Sequence, residues 1–452
     1  VSELIISVSG LRGVVGSTLT PDVAMRYATA FALQLPPGPL VVARDGRTTG
    51  TMLRDCIVGA LAAIGRPVLD AGIVATPTVG VYVRAAGAVG AIQISASHNP
   101  PEYNGIKLFS HSGRVIDAQA GAEDRRRYNE LADKSPAWAR YEHVGTVTRV
   151  ADPHSDHLDA VLATVDVNAI QSAKFRVLLD SNHGAGSLLG TRLLESLGCT
   201  VVSVGAIPDG RFSHPPEPTA ENLTTIGNLV RDQQCDVGFC QDPDADRLAL
   251  IDHMGRYIGE EFTVALCVQR RLATTSGNLV INCATSSMTE ILARQMHSHC
   301  HRSAVGEANV VDAMLARNAI YGGEGNGGPI DPRVGYVRDS FVGMAQVLDL
   351  MAAQRQTLAS LAAALPQLAI HKAKVTLDTA KLPAVFARLQ QEYPEAAADR
   401  QDGLRLAWGD SWLLVRGSNT EPIVRLIAEA ASEAAAVNLC DAAARIIARE
   451  FA

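Results

Sequence analysis

A chain of 452 residues is too long for a single hydrophobic core, and a division at roughly 150 residues per domain predicts three or four domains with a sizeable buried interior. Apolar residues make up 47% of it, and 40 Lys and Arg stand against 47 Asp and Glu for a net charge of -7, which argues against non-specific nucleic-acid binding and leaves any anionic ligand to local positive groups. Eight scattered cysteines without a C-x-x-C pair, no basic leader in VSELIISVSGLRG and no run near ~18 apolar residues predict a cytoplasmic protein with no membrane partner.

Along the chain one pattern occurs three times. A strand-like run ends in a polar turn at PLVVARDGRTTG (39–50), FRVLLDSNHGAG (175–186) and NLVINCATSSM (278–288). Each is followed by helical apolar spacing and a second strand-like run, PVLDAG, TVVSVG and SAVG, with Arg44, Asp180 and Asn282 preceding Gly72, Gly205 and Gly306 by similar intervals. A third run then ends in AIQISASHNP, DVGFCQDPDADR and AIYGGEGNGG. Strands alternating with helices predict mainly parallel sheets, whose binding loops leave the carboxyl ends of strands, so three modules aim three loops at shared space. HSHCH (297–301), between a helix-like segment and a strand, reads as a surface turn rather than a metal site. Beyond about 370, LRLAWGDSWLLVRGSNTEP predicts a hairpin and 432–449 an amphipathic helix, a smaller α+β domain softly bounded at SLAAALPQL. The expected domains are 1–150, 151–255, 256–368 and 369–452.

Four loops carry chemistry. Asp242, Asp244 and Asp246 alternate after a strand, a spacing that directs hard oxygen ligands at magnesium or calcium; glycine and glutamate of an EF-hand are replaced by Arg247 and His253. Ser97 lies in a turn stiffened by Asn99, Pro100 and Pro101, without a G-x-S-x-G elbow, and the adjoining His98 has no third group to orient it as a base. A phosphorylated Ser97 would supply the oxygen donors that the aspartates lack; a plain turn-forming serine is the alternative from pattern alone. RGSNTEPIVR (416–425) gathers Arg416, Ser418, Asn419, Thr420 and Arg425 at what reads as a strand-to-helix junction with Pro422 near the helix start, suited to phosphate, or simply an S-x-x-E capping box. GGEGNGG (322–328) offers Glu324 and Asn326 to sugar hydroxyls on a glycine frame.

Taken together and in order, SASHNPPEYNGIKLF, QDPDADR, GGEGNGG and RGSNTEPIVR resemble the phosphoserine, metal, sugar and phosphate loops of the α-D-phosphohexomutase superfamily over essentially the whole chain, with PPEPTAENL and SGLRG also similar. The resemblance implies a heart-shaped enzyme of three related α/β domains and a smaller α+β domain around a central cleft. It implies phosphoserine at Ser97, Mg2+ on Ser97, Asp242, Asp244 and Asp246, Arg12 and Arg247 near the transferring phosphoryl group, Lys107 as general acid/base and His98 in support. Phosphate would move between C6 and C1 of a hexose through a sugar bisphosphate, in a monomer or homodimer. Asn326 and Gly328 replace the serine and histidine of many relatives, Ala304 replaces a lysine, and SVSGLRG departs from the commoner start. The favoured substrate is glucosamine 6-phosphate, with phosphoglucomutase/phosphomannomutase activity as the alternative. Rivals from other classes are a catalytically silent sugar-phosphate-binding protein and a phosphatase.

Overall fold

The computed structural model describes residues 4–417 and 423–451. The first sheet has seven strands: β1 (Ile5–Ile6), β2 (Gly10–Val14), β3 (Leu40–Arg44), β4 (Val68–Ile73), β5 (Gly90–Ile94), β6 (Tyr103–Ser110) and β7 (Val147–Arg149), ordered β1-β2-β6-β5-β3-β4-β7. The second contains β8 (Arg176–Asp180), β9 (Thr200–Val204), β10 (Val237–Gln241) and β11 (Leu248–Asp252), and the third β12 (Asn278–Asn282), β13 (His299–Ser303), β14 (Tyr321–Glu324) and β15 (Gly328–Ile330).

The threefold repeat is visible in the topology. In each sheet the first strand of the unit lies parallel between the second and the third, and an antiparallel fourth strand closes a hairpin with the third: β4-β3-β5-β6, β9-β8-β10-β11 and β13-β12-β14-β15. The third strands are wholly buried, consistent with near-continuous apolar runs such as GAIQI and VGFCQ flanked by covering layers. Ser97, the three aspartates and the Gly325–Gly327 turn therefore occupy one topological position, the hairpin at the carboxyl end of the third strand, in three successive units.

Two expectations are corrected. HSHCH is a turn only at its start, through His297: His299, Cys300 and His301 belong to β13, an edge strand paired in parallel with β12 that ends at Ser303, where the expected SAVG strand begins. RGSNTEPIVR does not lead into a helix. Ile423–Ala430 is a strand, β20, in the antiparallel sheet β16-β20-β19-β18-β17 with β16 (Ala369–Thr376), β17 (Ala397–Asp399), β18 (Leu404–Trp408) and β19 (Ser411–Gly417). Alternation decides it: Val424, Leu426 and Ala428 face the core while Arg425 faces out. The helix-start N–H groups and capping box lose their basis, and Ser418, Asn419 and Thr420 lie outside the described residues.

The last domain docks on the third through a buried carboxylate. Glu429 of β20 accepts hydrogen bonds from the Ser287 backbone N–H (2.9 Å) and from Trp412 Nε1 (2.7 Å). A further rivet joins the first three domains: Thr78 bonds His157 Nδ1 at 2.8 Å, and His157 Nε2 meets Asp339 at 2.7 Å, the residue that caps helix Ser340–Gln354. Among the described residues no helix is long and apolar enough to cross a membrane.

One buried group is a stability liability. Asp124 on helix Ala118–Glu130 is wholly buried beside Tyr27 without a well-aligned donor, and burial pushes its carboxyl up to about 7. Because that value lies above the ordinary one, holding the charged form costs stability increasingly as pH rises from ~4 to ~7, reaching about 4 kcal/mol. Asp124→Asn is therefore expected to raise Tm by several degrees at pH 8 and by much less at pH 5, read by thermal melts at the two pH values.

Candidate active site

Ser97 is held where its neighbours dictate. Its backbone φ of 51° is a left-handed conformation uncommon for a non-glycine residue, and strain of this kind persists only when surrounding bonds over-determine it. Those bonds are present. Its N–H donates to Ser95 Oγ (2.9 Å), and Ser95 Oγ donates to the buried Asp45 (2.7 Å). Arg47, only 2% exposed, donates to four carbonyls of the loop: Ser97 (2.7 Å), Asn99 (2.5 Å), Pro100 (2.8 Å) and Tyr103 (3.0 Å). Asp45 and Arg47 lie in the DGR turn after β3, an unremarked charged pair in sequence, so this staple escaped the motif reading.

Asp242, Asp244 and Asp246 arrive opposite Ser97 from the second domain. Ser97 Oγ donates to Asp242 Oδ2 at 2.7 Å, and ligand oxygens of Asp242, Asp244 and Asp246 lie within 4.8 Å of one another, all three residues wholly buried. Asp242 has both oxygens hydrogen-bonded, and Asp244 and Asp246 have one each. Asp242 Oδ1 accepts from the N–H groups of Asp246 and Arg247, both at 3.1 Å. Asp244 Oδ2 accepts from Thr76 Oγ1 (2.5 Å) and Lys107 Nζ (2.5 Å), and Asp246 Oδ2 from Lys107 Nζ (2.9 Å) and Arg338 Nη2 (2.7 Å). The remaining oxygens, Asp244 Oδ1 and Asp246 Oδ1, are buried without hydrogen-bond partners, Arg247 Nε standing 3.9 Å from the latter. Such orphans are costly unless an ion or water satisfies them, and with Asp242 Oδ2 they form a hard-oxygen set that fits Mg2+ completed by phosphate and water.

Electrostatics follow from this crowding. Burial and the two adjacent carboxylates hold Asp242 well above the usual carboxylate range, whereas for Asp244 burial is outweighed by the Lys107 ammonium and the value falls. Burial pulls Lys107 down, but Asp244 and Asp246 prevail and keep it charged. His98 Nδ1 lies 3.4 Å from Ser97 Oγ, and burial with Arg247 and Arg12 depresses its imidazole to about 2, so it is neutral throughout the working range. Arg12 donates to Asn99 Oδ1 at 3.0 Å, and Arg247 stands 3.9 Å from Asp246 and 4.0 Å from Glu217.

The other candidates form a second group. Glu324 at the end of β14 accepts from Asn282 Nδ2 (2.7 Å) and the Gly306 N–H (3.0 Å) and pairs with Arg338 (3.0 Å); the Asn326 side-chain oxygen is buried without a partner. Arg416 Nε pairs with Asp402 at 3.2 Å, and Asp402 accepts the Val305 N–H of the third domain at 2.9 Å. Arg416 is directly opposite Arg425, which is opposite Lys374. Like charges across a sheet repel, so a three-cation row favours an anion. Lys374 was not picked out from sequence, since the strand pairing that aligns it is non-local.

Four domain families match the chain in this order: phosphoglucomutase/phosphomannomutase alpha/beta/alpha domain I over residues 4–132, domain II over 155–255, domain III over 260–369 and the C-terminal domain over 373–446. The chain belongs to the phosphoglucomutase/phosphomannomutase family. It is a phosphohexomutase by that membership. A phosphoglucomutase/phosphomannomutase of Thermococcus kodakarensis is 36% identical with 94% of each chain covered, and a probable phosphoglucosamine mutase of Methanopyrus kandleri is 32% identical over 98% of this chain and 97% of that one. A crystal structure of a phosphoglucomutase/phosphomannomutase family protein from Burkholderia thailandensis superposes with a TM-score of 0.86 at 25% identity, covering 99% of this chain and 98% of that one.

Proposed function

We propose that this phosphohexomutase interconverts glucosamine 6-phosphate and glucosamine 1-phosphate, with Ser97 as the phosphoryl carrier and the chain divided at 150/151, 255/256 and 368/369. The observation that carries the catalytic part is the 2.7 Å approach of Ser97 Oγ to an aspartate cluster with two orphaned oxygens. Asp242, Asp244 and Asp246 would hold Mg2+, which when bound neutralises charge on the phosphoryl group.

In the first half-reaction the Oγ–P bond of phosphorylated Ser97 breaks as a sugar hydroxyl oxygen forms its bond to phosphorus. Lys107 gives its proton to Oγ and is reprotonated by the attacking hydroxyl, so atoms and charge balance. The resulting sugar bisphosphate turns over in the cleft and returns its other phosphoryl group to Ser97 by the reverse steps. Arg12 and Arg247 supply fixed positive charge beside Ser97, and neutral His98 orients Oγ without adding to it. Glu324 and Asn326 receive sugar hydroxyls, and Arg416 and Arg425, with Ser418, Asn419 and Thr420 from the sequence motif, hold the phosphate that is not reacting.

Preference for an amino sugar rests on a cleft of about 410 Å³ beside the sugar loop, lined by Gly325, Ser286, Glu260, Glu261 and Lys372. Glu260 Oε1 is buried without a hydrogen-bond partner, whereas burial pushes Glu261 up to about 8 and leaves it neutral, its Oε2 accepting the Ser286 N–H at 2.9 Å. A 2-ammonium group would satisfy the Glu260 oxygen with a charge-assisted bond, whereas a 2-hydroxyl gives less. The alternative, glucose and mannose phosphates, is favoured by the name of the 36% identical relative. Initial rates on glucosamine, glucose and mannose 6-phosphates, primed with the corresponding bisphosphate, decide between them. Glu260→Gln is expected to raise KM for glucosamine 6-phosphate ~10-fold and leave glucose 6-phosphate unaffected, the loss of a charge-assisted bond of ~1.4 kcal/mol; turnover of glucose or mannose esters but not of glucosamine would reject the amino-sugar assignment. Stoichiometric release of free phosphate without an isomeric ester would mark a hydrolase instead.

A further inference from the structure

Arg338 follows β15 and lies beyond all four motifs, yet its guanidinium joins two of them. Nη2 donates to Asp246 Oδ2 at 2.7 Å, Nη1 meets Glu324 Oε2 at 3.0 Å, and Nε donates to Glu307 Oε2 at 2.8 Å. The side chain is largely buried, and three carboxylates from separate segments converge on one rigid fork. A lysine, as a single flexible point charge, cannot reproduce that geometry.

Its surroundings are built to keep it there. A Cβ at Gly328 would stand 2.5 Å from Arg338 Cδ and 2.8 Å from Cγ, so the glycine that replaces a larger residue in the sugar loop is the space through which this arginine runs. The next residue, Asp339, accepts from the N–H groups of Phe341 (2.9 Å) and Val342 (3.2 Å) and is held by His157 at 2.7 Å, which fixes the backbone on the far side. Because Arg338 and Lys107 both bond Asp246 Oδ2, the carboxylate of this cluster member is fixed in orientation and only its Oδ1 is left without a hydrogen bond.

We infer that Arg338 is a positioning residue that couples the sugar loop to the metal loop, so that Glu324 and the Asp246 carboxylate are held in one fixed relation. This rests on reading the aspartate cluster as the Mg2+ site. Partners that orient a metal ligand are worth 10- to 100-fold in affinity or activity when removed. The inference also gives Gly328 a purpose.

The test compares wild type with Arg338→Met and Arg338→Lys, measuring the Mg2+ concentration for half-maximal activity, KM for the preferred hexose 6-phosphate, kcat and Tm. Arg338→Met is expected to raise both the Mg2+ half-saturation and KM on the order of 10-fold and to lower kcat by a similar factor, with Arg338→Lys restoring part of each. A residue that served folding alone would lower Tm or the active fraction and leave half-saturation and KM of the surviving enzyme at wild-type values; that result overturns the inference. If Arg338→Met does not fold, Arg338→Lys decides on the same two quantities, and values within twofold of wild type reject the coupling. Wild-type activity that ignores Mg2+ would instead sink the metal-site reading itself.

Discussion

Ser97→Ala is expected to lower turnover by on the order of 10^4-fold or more with every hexose phosphate, because it removes the atom that carries the phosphoryl group between half-reactions. The fold should survive. Alanine occupies the same backbone position, and the loss is one hydrogen bond to Asp242, worth about 1 kcal/mol. Binding of the hexose monophosphate, followed by calorimetry, should persist, since Glu324, Arg416 and Arg425 are untouched. A serine that merely shaped the turn would leave activity within about 100-fold, the scale of a small displacement rather than of a missing nucleophile.

Asp242→Asn is expected to be nearly as severe for activity, about 10^3-fold, and to have the opposite sign for stability without metal. Asp242 shares a dry space with two carboxylates whose ligand oxygens lie within 4.8 Å. Like charges so placed oppose folding, and asparagine removes that repulsion while its Oδ1 still accepts the N–H groups of Asp246 and Arg247. The variant should therefore melt higher than wild type in a chelator. Added Mg2+ should then raise Tm of the wild type, by mass action on a site present only in the folded state, and shift the variant far less. Melting curves with chelator and with millimolar Mg2+ read both effects; a wild type unmoved by Mg2+ would remove the site's assigned ion. Such a gain in stability on losing function marks a charge cluster kept for chemistry.

The repeated units were legible because hydrophobic alternation and polar turns are local signals, and β3, β8 and β12 each fall within the quoted runs. The convergence of Ser97 and the aspartates was legible because each motif is contiguous and the motifs follow the order of the family loops they resemble. What escaped depends on distance in sequence. Arg47 reaches Ser97 50 residues away and Arg338 reaches Asp246 92 residues away, and neither carries a periodic or spaced signature. The cation row Arg416, Arg425 and Lys374 exists only through strand register. The misread junction before β20 shows two local codes in conflict: Pro422 and an S-x-x-E pattern imitate a helix start, while the alternation of Val424, Leu426 and Ala428 supplies the strand, and neighbouring strands settle which prevails. The polar HSHCH tract similarly hid the start of the strand expected at SAVG, because pairing with β12 begins at His299.

The central claim is that Ser97 itself carries phosphate during turnover. Enzyme incubated with a hexose 1,6-bisphosphate labelled with radioactive phosphorus, then digested and sequenced by mass spectrometry, tests it most directly. The account predicts one labelled phosphoryl group on the peptide containing Ser97, chased into sugar ester when unlabelled hexose 6-phosphate is added. Label that never enters that peptide while the isomeric ester accumulates at a normal rate would contradict it.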